Sequence, residues 1–191
     1  PDYVYIDATP QLPDIVASLR NGQQGTTVSW QLRIEYKRSP RNDDELFPSP
    51  NKRQLDAAAE WAVTAEIGGI RGGTATISVD KGGNPPWVDK FVFYIRGTNP
   101  TEEAVATYIG NNPWYAKAIA RHESDRPHQG RNYSQFNVTP RYARGPGWND
   151  IGDCPNRTGG ADASGWGIFQ LTKPVPSADC LWNWKANVDA G

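Results

Sequence analysis

Glu123 is the residue in this chain whose type and placement best suit acid–base chemistry. It stands near the C-terminal end of residues 113–124, PWYAKAIARHES, a segment that reads as a helix with Asn112 as its cap and Pro113 at its first position. Tyr115, Ile119 and Glu123 are four apart and fall on one face, which places the carboxylate at the end of an otherwise apolar stripe. Partial desolvation there would raise its pKa, as a general acid working near neutral pH requires. The plain structural alternative is a solvated helix glutamate.

Other groups could join it. Residues 125–164 are rich in Arg, Asn, Gly, Asp and Pro and supply Asp150, Asp153 and Asp162. An inverting glycosidase needs a second carboxylate to activate water across the sugar, and Asp150 and Asp153 are the candidates. A transglycosylase does not need one, because the C6 hydroxyl of the substrate attacks after one Glu has protonated the leaving oxygen. As turn or cap residues the same Asp side chains need no catalytic role.

Residues 165–170, GWGIFQ, combine Gly165 and Gly167, which let backbone approach a ligand, with Trp166 for stacking on a sugar and Gln170 for an acetamido group. A tight turn would use the same glycines. Cys154 and Cys180 lie on either side of this segment. A disulfide between them would contribute roughly 3 kcal/mol and suit an oxidising compartment; two unrelated buried thiols are the alternative. With only His122 and His128 present, no zinc site is expected, and neither a metal nor a cofactor is called for.

His122-Glu123-Ser124, then Gly165-Trp166-Gly167-Ile168-Phe169-Gln170, then Asn187-Val188-Asp189-Ala190-Gly191 together resemble the lytic transglycosylase and goose-type lysozyme group over residues 112–191. That group carries a Glu-Ser at a helix end, a G-[LI]-[MF]-Q segment and an Asn-[IV]-x-x-Gly helix in this order. The resemblance implies a peptidoglycan-cleaving enzyme acting on the β-1,4 bond between N-acetylmuramic acid and N-acetylglucosamine. Glu123 would be the catalytic acid and base and Ser124 its support, and Gly165, Trp166, Gly167, Ile168, Phe169 and Gln170 would line the cleft. It also implies a bacterial protein of the cell envelope, extracellular or periplasmic. The group's further Ala-Tyr-Asn segment does not follow here, and the chain starts at Pro1 and lacks Met, so it reads as a processed or truncated piece of a longer protein. The competing expectation is a noncatalytic glycan-binding or structural module of a larger assembly, with other chains or the missing C-terminal part as partners.

The elements that must position these residues fall into two sets. Residues 1–99 read as an antiparallel β-sandwich of immunoglobulin-like type, and residues 100–191 as a helical lysozyme-like domain, giving an α+β chain. The clearest strand is residues 26–38, where Val28, Trp30, Leu32, Ile34 and Tyr36 alternate with polar residues. Further strands are expected at residues 3–6, 60–67, 74–79 and 90–96, with a helical turn at 14–19 and an exposed loop at 39–52. After residue 99 the period changes: Asn99 or Thr101 can cap a helix beginning Glu102-Glu103, and Ser177 can cap a final helix at 178–190.

Composition excludes some partners. A net charge of −1 over 191 residues gives no electrostatic case for nucleic acid, and no apolar run reaches the length of a membrane span. Eight Trp and eight Tyr suit either a core or stacking on sugar rings.

Overall fold

A computed structural model describes residues 2–37, 44–48, 52–83, 87–110, 113–124, 135–136, 157–158, 165–171 and 176–191. In chain order the elements are β1 (Asp2–Ile6), β2 (Val16–Ala17), β3 (Thr27–Lys37), β4 (Asp44–Pro48), β5 (Arg53–Asp56), β6 (Trp61–Ala62) and α1 (Val63–Ile67). They continue as β7 (Gly73–Gly82), β8 (Trp87–Gly97), α2 (Glu102–Ile109), α3 (Ala116–Ser124), β9 (Arg157–Thr158), β10 (Gly165–Trp166), α4 (Ala178–Trp182) and α5 (Trp184–Ala190). The architecture is α+β, mostly sheet with few helices. Among the described residues no helix is long and apolar enough to cross a membrane.

The alternation in residues 27–37 makes β3 the centre of the sheet. Val28, Trp30, Leu32, Ile34 and Tyr36 are buried, and the residues between them stay accessible. β7 pairs antiparallel along one edge of β3, while β4 and β5 share the other. β8 follows β7, and β1 completes the order by pairing parallel to β8. The described strands therefore make one six-stranded mixed sheet and two two-stranded ribbons, β2 with β6 and β9 with β10, instead of two facing antiparallel sheets.

Aromatic rings from the second half cover the sheet in place of a second sheet. A Cβ at Gly72 would stand 2.2 Å from the Trp182 ring, and one at Gly97 would stand 2.2 Å from the Phe136 ring. Trp182 meets Tyr36 edge-on at 5.2 Å and Phe136 at 5.8 Å between ring centroids. Phe136, Trp166, Leu181 and Trp182 thus belong to the same buried cluster as the sheet residues. The change of period at residue 99 marks where strands give way to helices, and the packing continues across it.

Several local expectations change for identifiable reasons. Residues 60–67 form a two-residue strand and then α1, because Val63 N–H and the Thr64 hydroxyl bond to residues 13–15 and Gly68 ends the helix in a left-handed conformation (φ 66°). The same bonds hold residues 16–17 extended against β6, where a helical turn was expected. Part of the loop expected at 39–52 is strand, since β3 is long enough to take β4 beside its C-terminal half. The final helix breaks at Asn183, which is extended; its side-chain oxygen accepts from Lys185 and Ala186 N–H and starts α5 anew. Thr101 and Ser177 cap α2 and α4, accepting from Ala104 N–H and Cys180 N–H.

Candidate active site

The placement of Glu123 follows from which residues α3 buries. Ala116, Ala120 and Ser124, spaced by four, form its buried line, and their small side chains let the helix sit close to Val105, Ile109, Ile168 and Trp184. The stripe holding Tyr115 and Ile119 is rotated outward, leaving these two 48% and 42% exposed. The expected apolar surround for the carboxylate is thus an open face. Glu123 is half-buried at its end, and no described residue claims its carboxylate through a hydrogen bond or ion pair.

Ser124 is fully buried, and its hydroxyl donates to the Ala120 carbonyl at 2.6 Å. Its proton is spent on the helix backbone, so it holds the turn that carries Glu123 and leaves the carboxylate itself untouched.

The GWGIFQ segment is a tight turn closed by paired bonds between Trp166 and Leu171, N–H to carbonyl at 3.1 and 3.0 Å. Gly167 has φ 73°, and a Cβ there would lie 2.3 Å from Asn187 Nδ2 and 2.6 Å from Gln135 Oε1. No other residue fits both the conformation and the space. Two buried amides then fix the turn. Asn187 accepts from Phe169 N–H at 2.9 Å and donates to the carbonyls of Trp166 and Cys180 at 2.9 and 3.1 Å. Gln135 accepts from Ile168 N–H at 3.1 Å and donates to the carbonyls of Leu181 and Cys180 at 2.9 and 3.2 Å.

Consequently Trp166, Ile168 and Gln170 are buried, with the Gln170 amide donating to the Gly167 carbonyl. The Trp166 ring lies in the core and has no face for a sugar. Phe169 is the member of the segment that reaches an accessible groove, of about 360 Å³, together with Tyr108, Tyr115, Ile119 and Val188. On the groove wall the Tyr108 hydroxyl donates to Asp189 at 3.0 Å, tying α2 to α5. Partial burial, and then the Asp189 carboxylate, push this phenol above its ordinary pKa.

The structure brings Ser124 and Ile168 into the packing around α3. Gly165 and Gly167 serve the turn. Asp150, Asp153, Asp162, His128, Cys154 and Asn112 lie outside the described residues. Cys180 is a free thiol, its Sγ 3.7 Å from the Ala186 carbonyl, where half of a disulfide was expected. Sequence reasoning missed Gln135, which sits in a stretch without periodicity. Of the two caps it offered for α2, Asn99 or Thr101, Thr101 is the one used, and the Asn99 side-chain oxygen instead accepts from Gln135 and Phe136 N–H at 2.9 and 2.8 Å. A neighbouring Gln-Phe flanked by mostly polar residues was the available signal: an apolar ring that demands a core, next to an amide able to satisfy backbone there.

No family model, curated protein or solved structure matches this chain. The functional reading rests on the residues and on the motif resemblance alone.

Proposed function

We propose that this chain is a lysozyme-like muramidase or lytic transglycosylase acting on the β-1,4 bond between N-acetylmuramic acid and N-acetylglucosamine in peptidoglycan, with Glu123 as its acid and base. The observation that carries this reading is a half-buried carboxylate in the last turn of α3, unclaimed among the described residues, on a turn held by the buried Ser124 hydroxyl. Residues 100–191 act as the lysozyme-like unit and the sheet as its support, and the substrate places the protein in the cell envelope, outside the cytoplasm.

In the first step Glu123 gives its proton to the glycosidic oxygen as the bond to C1 breaks. The resulting carboxylate then takes a proton from the attacking hydroxyl. If that hydroxyl is the substrate's own C6 group, a 1,6-anhydro ring closes; if it is water, a reducing end forms.

Replacing Glu123 with Gln should cut release of soluble fragments from purified peptidoglycan by about 10²–10⁴-fold, with an unchanged circular dichroism spectrum and melting temperature. Comparable release by the variant overturns the assignment. Mass spectrometry of the products separates the two reactions, since anhydro products are lighter by one water. Reducing-end products would direct attention to Asp150 and Asp153 as the second acid.

A second reading has its own support. The burial of Trp166, Ile168 and Gln170 makes the GWGIFQ turn a staple between α3, α4 and α5, a role that a noncatalytic glycan-binding or structural module would also require. It predicts retention on purified cell walls without release of soluble fragments.

A further inference from the structure

β1 covers only part of its neighbour. Its register with β8 runs from Asp2 beside Phe93 to Ile6 beside Gly97, so residues 88–92 of β8 pair with β7 on one side and, among the described residues, with no strand on the other. A cavity of about 580 Å³ lies against this stretch, with Trp30, Ile77, Val79 and Phe93 of the sheet on one wall and Ile15 and Leu19 on the other. Asp89, Lys90 and Phe91 line it as well. Consecutive strand residues point to opposite faces, so a space that meets all three reaches β8 from its side, where the unpaired backbone runs. We propose that this open edge binds an extended peptide of a partner protein, which adds a strand beside residues 88–92 and carries an apolar and a basic side chain two positions apart on its inward face.

Backbone chemistry decides the occupant. An apolar small molecule in the cavity would strip water from the edge N–H and C=O groups and return no hydrogen bond, at about 1–3 kcal/mol for each group left unpaired. A peptide backbone supplies both donor and acceptor, the mode by which strands are added to sheet edges. Side chains set the rest. Val88, Phe91 and Val92 of β8, and Val16 on the facing segment, are about half exposed, which leaves apolar area for a partner to cover. By alternation Asp89, Phe91 and Phe93 share the inner face and Asp2, in register with Phe93, joins them, whereas Lys90 points to the outer face.

The inner face at this edge therefore offers two exposed carboxylates, and the one cation that lines the cavity comes from the other side of the strand. One Asp89 oxygen accepts from Lys90 N–H at 2.9 Å, and among the described residues the other has no partner, so it can meet a basic side chain placed opposite it. No residue of α2, α3, α4 or α5 lines the cavity, so the inference is independent of the role proposed for Glu123 and leaves that helix face open.

The probe is a short fluorescein-labelled peptide, blocked at both ends, with a valine and a lysine two positions apart and threonines between and around them, titrated against the whole chain by fluorescence anisotropy. Saturable binding is expected. Changing the peptide's lysine to glutamate should weaken it about fivefold, and Asp89→Lys in the protein should reverse that order. Methylating one alternating set of peptide nitrogens should abolish binding and methylating the other should spare it, because only one set faces β8. Phe91→Thr should lower the affinity about tenfold; both substituted side chains are exposed, and Asp89→Lys supplies the test should Phe91→Thr lose its circular dichroism spectrum. A wild-type chain that binds no peptide overturns the proposal. So does binding indifferent to both methylated sets, which would mean capture by apolar walls alone, and so does saturable uptake of octylamine without the peptide, which would make the cavity a small-molecule site. Self-association of the chain that excludes the peptide would give the edge to a second copy and overturn it as well.

Discussion

The sheet and the helices reach a buried interior by different means. Among the described residues the sheet cluster holds nineteen buried apolar side chains, many of them β-branched or aromatic, whereas the cluster around α3 holds six, two of which are alanines. The sheet is therefore specified by volume and alternation, which tolerate local change. The helices lean on particular polar ties: the amides of Gln135 and Asn187, the Tyr108–Asp189 bond, and the Trp184 indole donating to the Ala8 carbonyl at 2.7 Å. Where apolar area is scarce, a buried hydrogen bond decides more, because an orphaned donor or acceptor there costs about 1–3 kcal/mol.

This contrast can be broken most forcefully at Trp182, which carries the sheet's buried cluster into α4. Trp182→Ala should destabilise the chain by about 3–5 kcal/mol. If the halves share one core, denaturation followed by far-ultraviolet circular dichroism and by tryptophan fluorescence should give coincident transitions. A helix signal lost ahead of the sheet signal would instead mean two separately stable units. Next comes Asn187→Leu, which keeps the branched heavy-atom shape but orphans the Phe169 N–H, while the Trp166 and Cys180 carbonyls keep their bonds from Leu171 N–H and the Gln135 amide; the expected loss is about 1–3 kcal/mol, read as a lower denaturant midpoint. A surface asparagine would show no such loss.

The smallest effect sharpens the polar side of the comparison. The Tyr108 phenol is raised by burial and by Asp189, so the folded state holds this proton more tightly than the unfolded chain does. Its contribution is complete below the ordinary phenol range and disappears as pH climbs through the raised folded value. Tyr108 is partly exposed, so solvent screening keeps this to a fraction of a kcal/mol. Tyr108→Phe should flatten that alkaline loss of stability. Phenolate absorbance of the wild type should contain a late-titrating contribution, above the ordinary phenol range, that is missing from the variant.

Much of the sheet was legible because period-2 alternation is a local signal. β3 follows from Val28 to Tyr36, and the caps at Thr101 and Ser177 follow from hydroxyls placed before helical segments. What escaped was non-local. Nothing near Tyr3 in sequence says that β1 runs parallel to β8, and nothing near Trp61 says that Thr64 answers to residues 13–15. At the candidate site, the position of Glu123 at a helix end was readable, but its surroundings were not. The spacing 115–119–123 looked like a core stripe, yet the neighbouring line 116–120–124 won burial because alanine and serine allow the helix to approach more closely. The fixing of the GWGIFQ turn by Gln135 depends on a residue more than thirty positions upstream of Ile168, with only a short polar run around it.

The indole of Trp184 bonding to Ala8 spans 176 positions, and with Trp182 it makes the last part of the chain the closure of the first. During synthesis at ~5–20 residues per second, the sheet's apolar face stays uncovered for seconds after its strands have been made. Contacts of such high sequence separation also slow folding, since loop closure must precede their reward. A nascent chain of this protein is accordingly expected to present a ready surface to holding chaperones until α4 and α5 emerge from the ribosome.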